Sequence, residues 1–229
     1  MHPHRGIETV TYMLAGMVEH QDTLGNKGTI GAGDVQWMTS GRGIMHSEMP
    51  QQRDGLLAGF QLWVNLPAKL KMSPPRYQEI PSERIPELTD ENGAKVRVIT
   101  GKVGSVVGPV TEIAAQPVYL DVSMPAEGQF AIPVESGSTV FAYVFEGVGE
   151  FGITEIGSGT RIAETSLVAF GDGDHVQVRT GEEPVRFLFI AGRPLDEPIA
   201  RYGPFVMNTR EEIQQALNDL REGIFVKDA

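Results

Sequence analysis

Two pairs of donor residues stand near the ends of the first fifty positions: His2 and His4 in HPHRG, and His46 and Glu48 in GRGIMHSEMP. One residue separates the members of each pair. Along an extended strand the side chains alternate between faces, so residues i and i+2 project to the same side. Each pair therefore offers two ligands to one face of a sheet. Brought side by side, the two strands present three imidazoles and one carboxylate. This mixed nitrogen and oxygen set suits one divalent first-row transition metal, and it leaves positions open when the metal is five- or six-coordinate. The expectation is a mononuclear metal site inside a small β-barrel.

The elements that must position these residues are short strands and tight turns. Residues 8–14 (ETVTYML) are β-branched and aromatic, a strand by propensity. Gly16 interrupts it, and MVEHQD follows as a second strand. LGNK at 24–27 and GAGD at 31–34 are turns flanking Val35–Met38, another strand. Ser40–Gly43 is read as a flexible loop delivering the chain to His46, and GFQLWVNL at 59–66 as a further strand closed by Pro67. This density of strands and glycine turns predicts an antiparallel all-β barrel or sandwich. Residues 67–88 carry five prolines and little alternation, which predicts a linker or wrapping arm. Strands resume over 95–124. TREEIQQALNDLR at 209–221 is the one clear helix, opened by a Thr209/Glu212 capping box and ended by Gly223.

The chain also echoes itself. YMLAGMVE at 12–19 has a counterpart in YVFEGVGE at 143–150, and Gly33-Asp34-Val35 in Gly173-Asp174-His175-Val176. Two tandem copies of one β fold are expected. Carried back by the first offset, His2 falls against Pro133 and His4 against Glu135. Only the first copy is then built to hold a metal, and His175 is structural.

Other residues compete for roles. Glu8 follows His4 by four positions and is a rival carboxylate, since it shares strand parity with His2 and His4. His20 reads as a surface or satisfied core residue. Trp37, Trp63, Met38 and Phe60 read as core, with some lining a pocket. Arg5 and Arg42 flank the ligands, either as solvated charges or as anion-steering or partner-contacting groups. With 229 residues the chain has room for a sizeable core. Its formal charge of −11 repels phosphates, so direct nucleic-acid binding is disfavoured. It has no cysteine, no apolar run of membrane-spanning length and no signal-like opening, so a cytoplasmic, non-membrane protein is expected.

HPHRGIETVTYMLAG (2–16), GDVQWMTSGRGIMHSEMP (33–50), QLWVNLP (61–67) and YGPFVMNTREEI (202–213) resemble the pirin family of the cupin superfamily over essentially the whole chain. The resemblance implies a bicupin: two tandem cupin β-barrels with a C-terminal helix. Residues 1–89 would form the N-terminal metal-binding barrel with its Pro-rich linker, and residues 90–229 a C-terminal barrel without metal ligands. Family members carry several dozen residues before HPHRG, so the first barrel is expected to be truncated at its start. The family's ligands match His2, His4, His46 and Glu48, and its usual metal is iron, taken as Fe(II). Some pirins resemble quercetinases, which open a flavonol with O₂ and release carbon monoxide. Glu48 would then act as general base on a small aromatic substrate. Other pirins imply a non-catalytic, redox-responsive regulator that binds a transcription factor or an enzyme through the same site.

Overall fold

The computed structural model describes residues 1–51, 55–153, 157 and 159–226. The chain forms two compact units, one of Met1–Arg84 with Leu195–Ala229, the other of Ile85–Pro194. From sequence the division is expected once, between residues 89 and 90. It falls instead at 84 and again at 195, because the C-terminal segment returns to the first unit.

The first unit contains β1 (His2–His4), β2 (Ile7–Ala15), β3 (Val18–Asp22), β4 (Lys27–Ile30), β5 (Val35–Thr39), β6 (Ile44–Pro50), β7 (Ala58–Asn65) and β8 (Arg76–Ile80). They build two antiparallel four-stranded sheets, ordered β1-β6-β3-β4 and β7-β2-β5-β8. Within 67–88, expected as a linker or wrapping arm, the chain forms strand β8. Its prolines, Pro74, Pro75 and Pro81, lie outside the strand itself, so Arg76–Ile80 can pair with β5 at the sheet edge.

Gly6 separates β1 from β2 and sits at φ +81°, where a Cβ would meet the Val206 carbonyl oxygen at 2.1 Å. This left-handed residue sends the chain from one sheet into the other. The Ser40–Gly43 segment is held rather than flexible. Ser40 is buried, its Oγ accepts from the Ile7 amide at 3.1 Å, and the Gly41 carbonyl accepts from the Gly6 amide at 2.9 Å.

The second unit contains β9 (Glu87–Thr89), β10 (Lys95–Thr100), β11 (Lys102–Val103), β12 (Val106–Val107), β13 (Val118–Met124), β14 (Gln129–Pro133), β15 (Thr139–Phe151), β16 (Thr160–Ala163), β17 (Ser166–Ala169), β18 (His175–Arg179) and β19 (Val185–Gly192). Most of these strands join one sheet, ordered β14-β18-β15-β19-β13-β10-β9, with β16 and β17 also pairing with β15. Its ladder β14-β18-β15, extended by β16, repeats β1-β6-β3-β4 of the first unit. Pairing therefore sets β18 against β6, and β17 against β5. The Gly33-Asp34/Gly173-Asp174 echo, which sets β5 against β18, is one strand out of step.

The C-terminal segment adds β20 (Ala200–Tyr202), β21 (Phe205–Met207) and α1 (Arg210–Arg221), the one α-helix among the described residues. The Thr209/Glu212 capping box forms as expected. No helix among these residues is long and apolar enough to cross a membrane. The segment is fastened to the start of the chain. The Val206 amide donates to the Arg5 carbonyl at 3.1 Å. The Arg5 guanidinium, buried, meets Asp219 of α1 at 2.7 Å and lies 4.4 Å from the centre of the Phe225 ring. Arg5 is thus neither a solvated charge nor an anion-steering group. Lys71, also buried, donates to the oxygens of Gly6, Asn65 and Val206 at 2.7–2.9 Å, and burial pulls its ammonium down to about 8.

Asp219→Ala would leave the Arg5 guanidinium buried without its counter-charge. The expected cost is about 3–5 kcal/mol, read as a lower denaturation midpoint. Faster hydrogen exchange should appear in β1, and an unchanged midpoint would show that the pair does not fasten the segment.

Candidate metal centre

The register of β6 assembles the site. Across β1 and β6, His2 stands opposite His46 and His4 opposite Ile44. Across β3 and β6, Asp22 stands opposite His46 and His20 opposite Glu48. Directly opposed residues of an antiparallel pair share a face. His2, His4, His46, Glu48, His20 and Asp22 therefore all project from one face of this sheet.

The second sheet supplies the facing wall. On its inner side Thr11 stands opposite Gln36 and Gln61, and Thr9 opposite Met38 and Trp63. Contacts between the sheets follow this parity. Thr11 Oγ1 donates to Glu48 Oε1 and Gln61 Nε2 to Glu48 Oε2, both at 2.6 Å. Trp63 meets the His4 ring edge-on at 5.3 Å between centroids. Tyr77 stacks on His20 at 4.8 Å, and the Gln36 amide bonds His20 Nδ1 at 2.8 Å.

The three expected imidazoles converge. Ring centroids are 4.3 Å apart for His2 and His46, 4.8 Å for His2 and His4, and 5.0 Å for His4 and His46. Two donor groups result, His2/His4/His46 and His20/His46/Glu48, with donor atoms within 4.8 Å of one another in each. His46 belongs to both. His4 and His46 are buried, Glu48 is half-buried and His2 is exposed, so the cluster has one open side.

Burial pulls the His46 imidazole down to about 3, with His2 and His20 pushing the same way. Burial likewise brings His4 to about 4, aided by His46 and His2. His2 is lowered too, mainly by burial, and Glu48 opposes that shift. At neutral pH all three rings are uncharged, the form that ligates a metal.

The residues fit such an ion. Both ring nitrogens of His46 are buried with no hydrogen-bond partner, a costly state that coordination would relieve at one nitrogen. His2 Nε2 and His4 Nε2 face each other at 3.0 Å. Metal–nitrogen bonds of about 2.1 Å meeting near a right angle would set two nitrogens about 3.0 Å apart.

Glu8 does not join the cluster. It stands opposite Thr39 and Val64, on the other face of the β7-β2-β5-β8 sheet, where Thr39 Oγ1 donates to it at 2.7 Å. Burial raises its carboxyl above the usual range. Counting parity from His4 to Glu8 fails because Gly6 turns the chain into a different sheet. Trp37 and Met38 are core as expected, Trp63 lines the site at 37% exposure, and Phe60 lies on the far face with Tyr12. Arg42, within the Ser40–Gly43 segment, is partly buried.

His20 is the residue sequence reasoning set aside. It is a satisfied core histidine, bonded to Gln36 and to Asp22 at 3.2 Å, yet its ring lies 5.5 Å from His46. His20-Gln21-Asp22 has the same period-two spacing as His46-Ser47-Glu48, and that signal could have found it.

The second unit fills the corresponding ladder with hydrocarbon. Phe130, Ile132, Phe151, Val176 and Val178 point into its core. His175, one residue from Val176, faces outward against Asp174. Among the described residues neither donor group draws on this unit.

Two family models match this chain. A family model described as Pirin matches residues 1–64, and one described as the Pirin C-terminal cupin domain matches residues 119–226. A Pseudomonas aeruginosa protein named as a candidate quercetin 2,3-dioxygenase is 47% identical over 232 residues, covering 97% of this chain and 78% of its own. A Caulobacter vibrioides pirin-like protein is 45% identical, covering 98% and 79%. The crystal structure of a quercetin 2,3-dioxygenase from Acinetobacter baumannii superposes with a TM-score of 0.89 at 39% identity, covering 98% and 77%.

His46→Ala should abolish uptake of a divalent ion in a calorimetric titration, whereas Glu8→Gln should keep it. Equal uptake by wild type and His46→Ala would place the ion elsewhere. In the metal-free protein the unfolded chain takes up protons on these histidines below about 6.5, while in the folded protein His4 resists until about 4 and His46 until about 3. Stability should be fully present above that window and fall as pH drops through it, with a melting temperature that declines less steeply in His46→Ala.

Proposed function

The chain belongs to the pirin family, and from that premise we propose that it is an oxygenase of the quercetin 2,3-dioxygenase type, with His2, His4, His46 and Glu48 holding one iron(II). The observation that carries this reading is the convergence of three uncharged imidazoles beside a braced carboxylate, in a cluster open on one side. A structural metal site is closed by protein ligands, whereas a catalytic one keeps a position for substrate.

When bound, the metal would supply Lewis acidity toward a pair of substrate oxygens and reactivity toward dioxygen. The chain's own residues do the rest. Thr11 and Gln61 each donate to one oxygen of Glu48 and so fix the plane of its carboxylate. Held there, Glu48 takes the proton of the flavonol 3-hydroxyl as general base. His20 packs between Tyr77 and His46 and fixes the deep side of the cluster. Gln61 and Trp63, on the inner face of edge strand β7, are both exposed, and a flat ligand can enter beside them. The balanced reaction converts flavonol and dioxygen into a ring-opened ester and carbon monoxide.

Protein loaded with iron(II) without air, then given quercetin and oxygen, should consume the flavonol absorbance. Glu48→Gln should slow this by about 10²–10⁴-fold if it removes the general base. No consumption by wild type, or equal consumption by His46→Ala, would defeat the reading.

A further inference from the structure

Arg201 stands beside Trp63, the indole that meets His4. Its guanidinium lies 5.3 Å from the centre of the Trp63 ring, within cation–π range. Arg201 is exposed on β20, and no carboxylate pairs with it among the described residues. It puts a positive charge beside Trp63 in a chain of formal charge −11. The ring beneath it is positioned from within the site. Trp63 Nε1 donates to Gln61 Oε1 at 3.4 Å, Gln61 Nε2 bonds Glu48, and the indole meets His4.

A guanidinium stacked on an aromatic face keeps the N–H groups of its edge free. That planar fork matches a carboxylate or phenolate with two parallel hydrogen bonds. The guanidinium lies over one face of the indole, and the apolar surface it leaves uncovered is offered to a flat ring beside the fork.

We propose that Trp63 and Arg201 form the specificity wall of the site, selecting a planar aromatic substrate with an anionic oxygen group at the end remote from its metal-chelating oxygens. This rests on the oxygenase reading and narrows its substrate class. Trp63 packs against the aromatic body, and Arg201 binds the anion. Arg201 also draws such ligands toward a protein whose overall charge repels them.

The test uses zinc-loaded protein, which holds the ligand without oxidising it, and follows quenching of tryptophan fluorescence. The probes are 3-hydroxyflavone and its derivative with a carboxylate on the phenyl ring. Wild type should bind the carboxylate derivative about tenfold more tightly at low salt, and the advantage should shrink as salt is raised. Arg201→Gln, with zinc stoichiometry checked, should bring the two affinities within about twofold of each other. Trp63→Phe should weaken both ligands while keeping the preference, read from flavonol absorbance. Equal affinities in wild type, or a preference that survives Arg201→Gln, overturns the proposal and leaves the oxygenase reading standing. If neither flavonol binds zinc-loaded wild type, both fall together.

Discussion

The register of β6 against β1 on one side and β3 on the other is the constraint on which the site depends. One strand carries His46 and Glu48, and its two neighbours bring His2, His4 and His20 to the same face. Side chains alternate with period two, so a slip of one residue would send each of these groups to the opposite face. Burial alone cannot hold that register, because the inner face is polar. The facing sheet holds it instead: Thr11, Gln61, Gln36 and Tyr77 each meet one specific member of the cluster.

Such a face is unstable on its own terms. Three imidazoles lie within 5.0 Å between ring centroids, and the buried His46 ring has no hydrogen-bond partner. The second unit shows the alternative, since the same ladder filled with phenylalanine, isoleucine and valine needs no ligand. The contrast explains how one β topology supplies a polar donor cluster in one unit and a plain core in the other. A polar inner face costs stability in the metal-free protein, and coordination is the interaction able to offset it.

Fastening of the first strand is the second requirement. Among the described residues β1 pairs with β6. Residues 195–226 reinforce it through the Arg5–Asp219 pair, the Val206 amide and the Lys71 ammonium, which bonds Gly6 and Val206 together. These buried polar contacts specify position more than they add stability. They tie the C-terminal helix to the β1 end of the chain, although the helix contributes no residue to either donor group.

The sequence by itself determined the all-β class, most strand positions, the capped helix and the two period-two donor pairs, because these depend on residues close together along the chain. Period two says which neighbours within a strand share a face, and capping chemistry is local. Tertiary structure decided what lies across a turn or far along the chain. Parity could not be carried through Gly6, so Glu8 looked like a rival while lying on another face. The pairing of His20 with Glu48 set which strand it shares the site with, and Arg5 found Asp219 more than two hundred positions away. The return of residues 195–229 to the first unit was equally hidden, since a helix's apolar stripe does not name the surface it will cover.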